Sequence, residues 1–254
     1  MTDEVLIERT DGVLLITLNR PDARNAMTLA MAERIGAAVD DLESDDTLSA
    51  AVIAGTGTAF CAGMDLKGFL RGEKPSIPGR GFGGIAQRPP TKPLIAAVEG
   101  WALAGGFELV LACDLVVASE TARFGLPETK RGLVAAAGGL FRLRERIPAN
   151  IALELILTGE PIDAGRLHHY GLVNHVTPGG QALDRALELA ATIAANGPLA
   201  VAASKRVFVE SVDWDLEDRF ARQAPITAPI ATSNDAREGA AAFAEKRRPV
   251  WTRS

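Results

Sequence analysis

Four short runs, VLLITL at 13–18, LSAAVIAG at 48–55, PLIAAVEG at 93–100 and LVVAS at 115–119, are apolar at most positions. A strand with one wet face alternates apolar and polar residues. A run without alternation suits a strand covered on both faces, the habit of parallel sheets. Parallel neighbours need long crossovers. The stretch between the first two runs supplies one. Thr28 is placed to cap a helix over LAMAERIGAAVDDLE, where Leu29, Ala32, Ile35, Val39 and Leu42 make one apolar stripe. This strand–helix–strand order predicts an α/β fold.

Local signals mark the other elements. VLIERT and VLLITL meet at Asp11-Gly12, a type I′ hairpin signal. GGFELVLACD, GGLFRLRERI, NIALELILTG and DAGRLHHYG read as helices, and LVNHVTP as a late strand. RGEKPSIPGRGFGGIAQRPP, residues 71–90, is rich in Gly and Pro without periodicity and reads as a long mobile loop. The last part is helical. Gly197 stops one helix and Pro198 starts the next, while Pro225 and Pro229 are expected to interrupt the segment after it. The chain of 254 residues therefore divides into a core, 1–195, and a helical C-terminal region, 196–254.

Composition excludes several classes. With a net charge of −5, the chain shows no basic surplus for nucleic acid. Its N-terminus, MTDEVLIERT, has no apolar leader run, and the longest apolar segments are broken by Glu108, Asp114 and glycines. No membrane association is expected, and the expected location is the cytoplasm. Cys61 and Cys113 are too few for a disulfide framework and read as reduced core residues.

Some motifs lead nowhere. GRGFGG at 79–84 matches a dinucleotide fingerprint, but prolines flank it where a strand and a helix are required. GTGTAF has Phe60 in place of the third glycine. His168, His169 and His175 have no companions at metal-ligand spacing, so no metal is expected. EKRRPVW near the end reads as a solvated charge run, with contact to a phosphate as the alternative.

Three elements carry chemistry together. In FCAGMDL, directly after a buried strand, Ala62 and Gly63 remove bulk, so that a ligand can approach the N–H groups of Gly63 and Met64, with Asp65 and Lys67 flanking. In WALAGGFE, Gly105 and Gly106 open a helix, whose first N–H groups lack internal partners. One donor from each turn would make an oxyanion hole. The third element is a glutamate pair. Glu108 lies one helical turn after Gly105, and Glu128 comes twenty residues later. Two carboxylates across a small pocket can hold one water and act as acid and base. The residue types leave a structural reading of Glu108 open, as a salt-bridging group with Arg123, Lys130 or Arg131.

The wording LNRPDARNAM, FCAGMDL, PLIAAVEGWALAGGFELVLACDLVVA, ARFGLPETKRGL, AAGGLFRL, ILTGEPIDA, GLVNHV and REGAAAFAEKR resembles the enoyl-CoA hydratase/isomerase family, the crotonases, essentially end to end. MDLK and AFAEKRRPVW look most like its carnitinyl-CoA dehydratase-like branch. The resemblance implies a spiral of ββα units and a helical C-terminal trimerisation region, assembling a homotrimer or homohexamer. It implies an acyl-CoA thioester substrate, with coenzyme A belonging to the substrate and no separate cofactor or metal. By motif position, Met64 and Gly105 would supply the two oxyanion-hole N–H groups. Ala26, Ala62, Met64, Asp65, Leu66, Lys67 and Gly105 would line the substrate. Glu108 and Glu128 would handle the water. Arg24, and Lys246 from a neighbouring subunit, would face the CoA phosphates.

The implied reaction is hydration of a 2-enoyl-CoA to a 3-hydroxyacyl-CoA. The alternatives are a Δ3-Δ2 isomerase and a non-catalytic acyl-CoA binder. There are departures from the family wording. Ala104 stands where many members have a third glycine. Phe107 adds bulk beside Glu108 and is expected to shape the acyl pocket. Ala135 and Ala136 replace a common Pro-Gly, which puts rate or specificity in question.

Overall fold

The computed structural model describes residues 3–254. In chain order it runs β1 (Val5–Thr10), β2 (Val13–Leu18), α1 (Leu29–Ser44), β3 (Ala50–Gly55), β4 (Ala59–Cys61), α2 (Leu66–Leu70), β5 (Ser76–Ile77), β6 (Gly81–Phe82), β7 (Leu94–Val98) and β8 (Trp101–Leu103). Then come α3 (Gly105–Ala112), β9 (Leu115–Ser119), β10 (Arg123–Gly125), α4 (Gly139–Arg146), α5 (Ala149–Thr158), β11 (Ile162–Asp163), α6 (Ala164–His169) and β12 (His175–Thr177). Four helices close the chain: α7 (Ala182–Ala194), α8 (Pro198–Glu210), α9 (Arg219–Ala231) and α10 (Asn234–Glu245).

The four apolar runs lie in one six-stranded sheet, ordered β1-β2-β3-β7-β9-β12. All its pairs are parallel except the β1–β2 hairpin. Asp11 and Gly12 both take positive φ, as a type I′ turn requires. The absence of alternation has its expected cause. In β3, Ala51 and Ile53 face the main core, while Ala50, Val52 and Ala54 face a second cluster. That second face is covered by α7, which presents Ala182, Ala186 and Ala190 and so comes close. Helix α7, inside the expected core 1–195, thus belongs to the sheet's packing.

The α1 stripe differs from the expected one at its start. Thr28 Oγ1 caps the helix by accepting from the Met31 N–H at 3.2 Å. Leu29 remains exposed, whereas Met31 is buried with Ala32, Ile35, Ala38, Val39 and Leu42. The buried rows are 31/35/38/42 and 32/36/39, at spacings of three and four, and Leu29 falls outside them.

Two further readings are corrected. Residues 71–90 are not a featureless loop: β5 and β6 pair antiparallel, and Ile85 and Ala86 are buried in the protein. Pro225 and Pro229 do not interrupt the last region, because both lie inside α9. They sit four residues apart on its exposed side, where Ile226 and Ile230 turn inward and water can satisfy the freed carbonyls.

A second sheet, β11-β10-β8-β4, decides where the site forms. Its strands β4, β8 and β10 are mutually parallel. Their carboxyl ends therefore lie on one edge, and each leads into one of the segments singled out in the sequence. Among the described residues, no single helix is long and apolar enough to cross a membrane.

Candidate active site

Beyond β4, the chain turns through Ala62–Met64. Met64 forms a parallel bridge with Met27, but the bonds of that bridge belong to its neighbours. Met27 N donates to Gly63 O, and Asp65 N donates to Met27 O. The Met64 N–H itself has no partner among the described residues. After β8, Ala104 takes φ +52° and ψ −130°, a turn that aims the chain into α3. Gly105 is the first residue of that helix, and its N–H is likewise free among the described residues.

The two turns touch. A Cβ on Gly63, whose φ is +93°, would lie 3.3 Å from Gly105 N and 2.8 Å from the Ala104 Cβ. A Cβ on Gly105 would come within 2.4 Å of the Phe82 ring, which β6 brings over the helix start. The small residues are thus required by close approach, and two free backbone donors face one space.

That space is a cavity of about 890 Å³. Of the residues expected to line it, Arg24, Ala26, Ala62, Met64, Asp65, Leu66, Lys67, Gly105, Glu108 and Glu128 all do. Lys246 does not line the cavity of its own chain. The 71–90 segment contributes Lys74, Pro75, Ser76, Phe82 and Gln87. Phe107 corrects an expectation. Its ring is fully buried and packs tilted against Phe124, with centroids 5.4 Å apart, so it shapes the core and not the pocket. Asp65 is a cap more than a contact. It accepts from the Lys67 and Gly68 N–H groups and pairs with Arg20 at 3.1 Å, and these partners outweigh burial to hold its pKa low.

The two glutamates occupy unlike environments. Glu108 is 3% exposed. None of Arg123, Lys130 or Arg131 pairs with it: Lys130 bridges to Glu160, and Arg123 and Arg131 donate to the Ala122 and Pro127 carbonyls. Instead Glu108 Oε1 accepts from the Ala137 N–H at 2.7 Å and the Gly139 N–H at 2.9 Å. Burial raises its pKa, while those two donors and the Arg142 cation pull it back. Glu128 sits in a 3₁₀ turn, Pro127–Arg131, just beyond β10. Its Oε2 is buried and has no hydrogen-bond partner among the described residues. Burial, aided by the Glu108 charge, pushes its pKa up to about 7. One carboxylate is held by fixed donors, and the other is left to hold a proton near neutral pH.

The sequence reading did not find the Ala137–Gly139 donors or Arg20. The only local signal for the donors was the Gly138–Gly139 pair at the start of α4. Arg20 ties the cavity wall together, through Asp65 and through the Ala26 carbonyl at 2.6 Å. GRGFGG lies around the β5–β6 hairpin, and no His, Cys, Asp or Glu group among the described residues is arranged to hold a metal ion. Cys61 and Cys113 are buried free thiols, each pushed by burial to about 12. In the terminal charge run, Arg247 pairs with Glu238 and Glu245.

Free backbone donors opposite paired carboxylates, at the carboxyl ends of parallel strands, define an enzyme site suited to acyl chemistry through an oxyanion. Comparison with known proteins gives the family. The model for "Enoyl-CoA hydratase/isomerase" matches residues 8–254, and the chain belongs to that family. It is 42% identical over 257 residues to the enoyl-CoA hydratase EchA19 of Mycobacterium tuberculosis, covering 97% of this chain and 95% of that protein. It is 39% identical to the carnitinyl-CoA dehydratase of Salmonella paratyphi A, covering 99% of each. Among solved structures, an enoyl-CoA hydratase from M. tuberculosis H37Rv superposes with a TM-score of 0.97 at 56% identity, over 99% of both chains.

Proposed function

We propose that this chain is an enoyl-CoA hydratase, adding water across the C2=C3 bond of a 2-enoyl-CoA thioester to give a 3-hydroxyacyl-CoA. The observation that carries this reading is the contrast between Glu108 and Glu128 beside two free N–H donors. The thioester oxygen sits against the Met64 and Gly105 N–H groups, which stabilise the negative charge gathered as C3 is attacked. Glu108, oriented by Ala137 and Gly139, takes a proton from water as its oxygen bonds to C3. Glu128 gives its proton to C2. The product leaves with one water's atoms added, and proton exchange between the carboxyls resets the site. No redox cofactor or metal enters this scheme. Arg24 and Lys67, lining the cavity, suit the anionic CoA portion.

The pair sets the pH dependence. Activity requires Glu108 ionised and Glu128 protonated, so kcat/KM should fall above about pH 7 as the Glu128 proton is lost. Replacement Glu128→Gln, with folding checked by circular dichroism, should cut hydration of crotonyl-CoA and longer enoyl-CoAs by at least about 10²-fold. Unchanged hydration removes the two-glutamate account. Loss of the enoyl thioester absorbance with label from ¹⁸O water in the product marks hydration, whereas an isomerase shifts the double bond without label. Tight acyl-CoA binding with no turnover on any enoyl-CoA would mark a binder.

Self-association through the C-terminal helices, as a trimer or hexamer, belongs to the same proposal. Its support is the row of solvent-facing apolar side chains there, Phe208, Val212, Leu216, Phe220 and Phe243, each more than 70% exposed in the single chain.

A further inference from the structure

Glu108 owes its position to a turn and not to an ion pair, and one side chain outside the cavity is built into that turn. Arg142, on α4, is half-buried and forms no salt bridge among the described residues. Its Nη1 points at the Ala137 carbonyl, 3.4 Å away, and its guanidinium lies 5.5 Å from the Phe141 ring centroid. The N–H of that same Ala137 holds Glu108. Gly138 between the two donors has φ +100°, and a Cβ there would come within 2.6 Å of Arg142 Nη1. The guanidinium is therefore packed directly on the backbone that orients the carboxylate.

Such a placement is costly, since a half-buried cation without a bonded anion loses hydration that one long carbonyl contact and a ring face return only in part. The charged and titratable groups facing it are few. Arg146 on the same helix repels it and directs its own Nη2 to the Cys113 carbonyl. Glu145, exposed on the same helix, attracts it more than any other anion, and the Cys113 thiol is neutral. The buried anion left to it is Glu108. Glu108 in turn faces Arg142 from α4 and Glu128 across the cavity, and Glu128 also feels Arg131.

We propose that Arg142 is a positioning residue for Glu108: it braces the Ala137–Gly139 turn and sets a fixed positive charge behind the carboxylate that accepts the proton of water. This rests on the reading of Glu108 as the base. Without the cation, Glu108 binds its proton more tightly, and the active, ionised form is reached only at higher pH.

The test is the pH profile of Arg142→Met and Arg142→Lys from pH 5 to 9, on crotonyl-CoA or the best-hydrated enoyl-CoA of a chain-length panel. For Arg142→Met the acid limb of kcat/KM should move to higher pH, with KM changed less than about twofold. Arg142→Lys, which keeps the charge, should return most of that shift. An unmoved limb in Arg142→Met, at a Tm within a few degrees of the parent, overturns the proposal. So does a limb displaced equally in both variants, because the charge is then not the agent. Should Arg142→Met fail to fold, Arg142→Gln takes its place. Glu108→Gln runs alongside. If it still hydrates, the base assignment itself fails. If it is inactive and the Arg142 limb is unmoved, only the role of Arg142 fails.

Discussion

Ala104 carries an unusual share of the site's geometry. Its φ of +52° with ψ −130° is a region that L residues enter at a cost of about 1–3 kcal/mol, and the turn it makes aims the Gly105 N–H into the cavity. In the sequence, Ala104 is only a departure from the family wording. The structure keeps the turn and stores the strain. Ala104→Gly should therefore raise Tm by about 2–4 °C with hydration retained, the relief of strain exceeding the added freedom of the unfolded chain. Thermal unfolding with parallel assays checks it. Glu128 makes a second prediction at this scale. Its folded pKa, about 7, lies above the ordinary 4.5, so the native state binds the extra proton between those values. Its contribution is fully present below pH 4.5 and is lost as pH rises through 7. Glu128→Gln, neutral at every pH, should raise Tm at pH 8 by about 2–4 °C relative to the parent and leave it unchanged at pH 4. A gain of equal size at both pH values would contradict the sign.

Helices and long strands were largely legible. Thr28 caps α1, Asp11-Gly12 turns the first hairpin, and the four double-faced strands lie side by side in the large sheet. The small sheet was not read. Its strands β4, β8 and β10 have three residues each, too short for any periodicity to register, and they are held by pairing between distant segments. They are nonetheless what sets Met64, Gly105 and Glu128 on one edge. Helix α9 shows the converse error, where a strong local signal was overridden. Pro225 removes one ladder bond, yet packing through Ile226 and Ile230 carries the helix on. Pro225→Ala should restore that bond and raise stability by about 1–2 kcal/mol, measured by urea unfolding. A loss of stability would mean that the proline ring at 225 is itself needed for packing.

Across the whole molecule, the C-terminal helices form a layer pinned at few points. Lys205 Nζ donates to the Pro90 and Lys92 carbonyls and bridges to Asp114 at 2.5 Å. The terminal tail is held by Asp235, which accepts from the Thr252 and Arg253 N–H groups, while Arg253 reaches Leu48 O and Ser49 Oγ beside β3. Between these anchors, Phe208 and Phe220 point to solvent in the single chain. If that face joins copies, Phe208→Glu with Phe220→Glu should reduce the mass in sedimentation from three or six chains to one, while the circular dichroism spectrum is retained. A parent protein that sediments as a single chain would refute the assembly.

The sequence by itself determined the double-faced parallel sheet, the caps and the small-residue turns, because those depend on periodicity and on contacts within a few residues. It also carried the family resemblance and the identities of Glu108 and Glu128. It did not determine which groups hold those glutamates. Arg123, Lys130 and Arg131 were near in the chain, but the donors came from Ala137 and Gly139, about thirty residues away. A carboxylate's protonation depends on what surrounds it in space. Only the folded backbone could give Glu108 two N–H groups and leave Glu128 Oε2 with none.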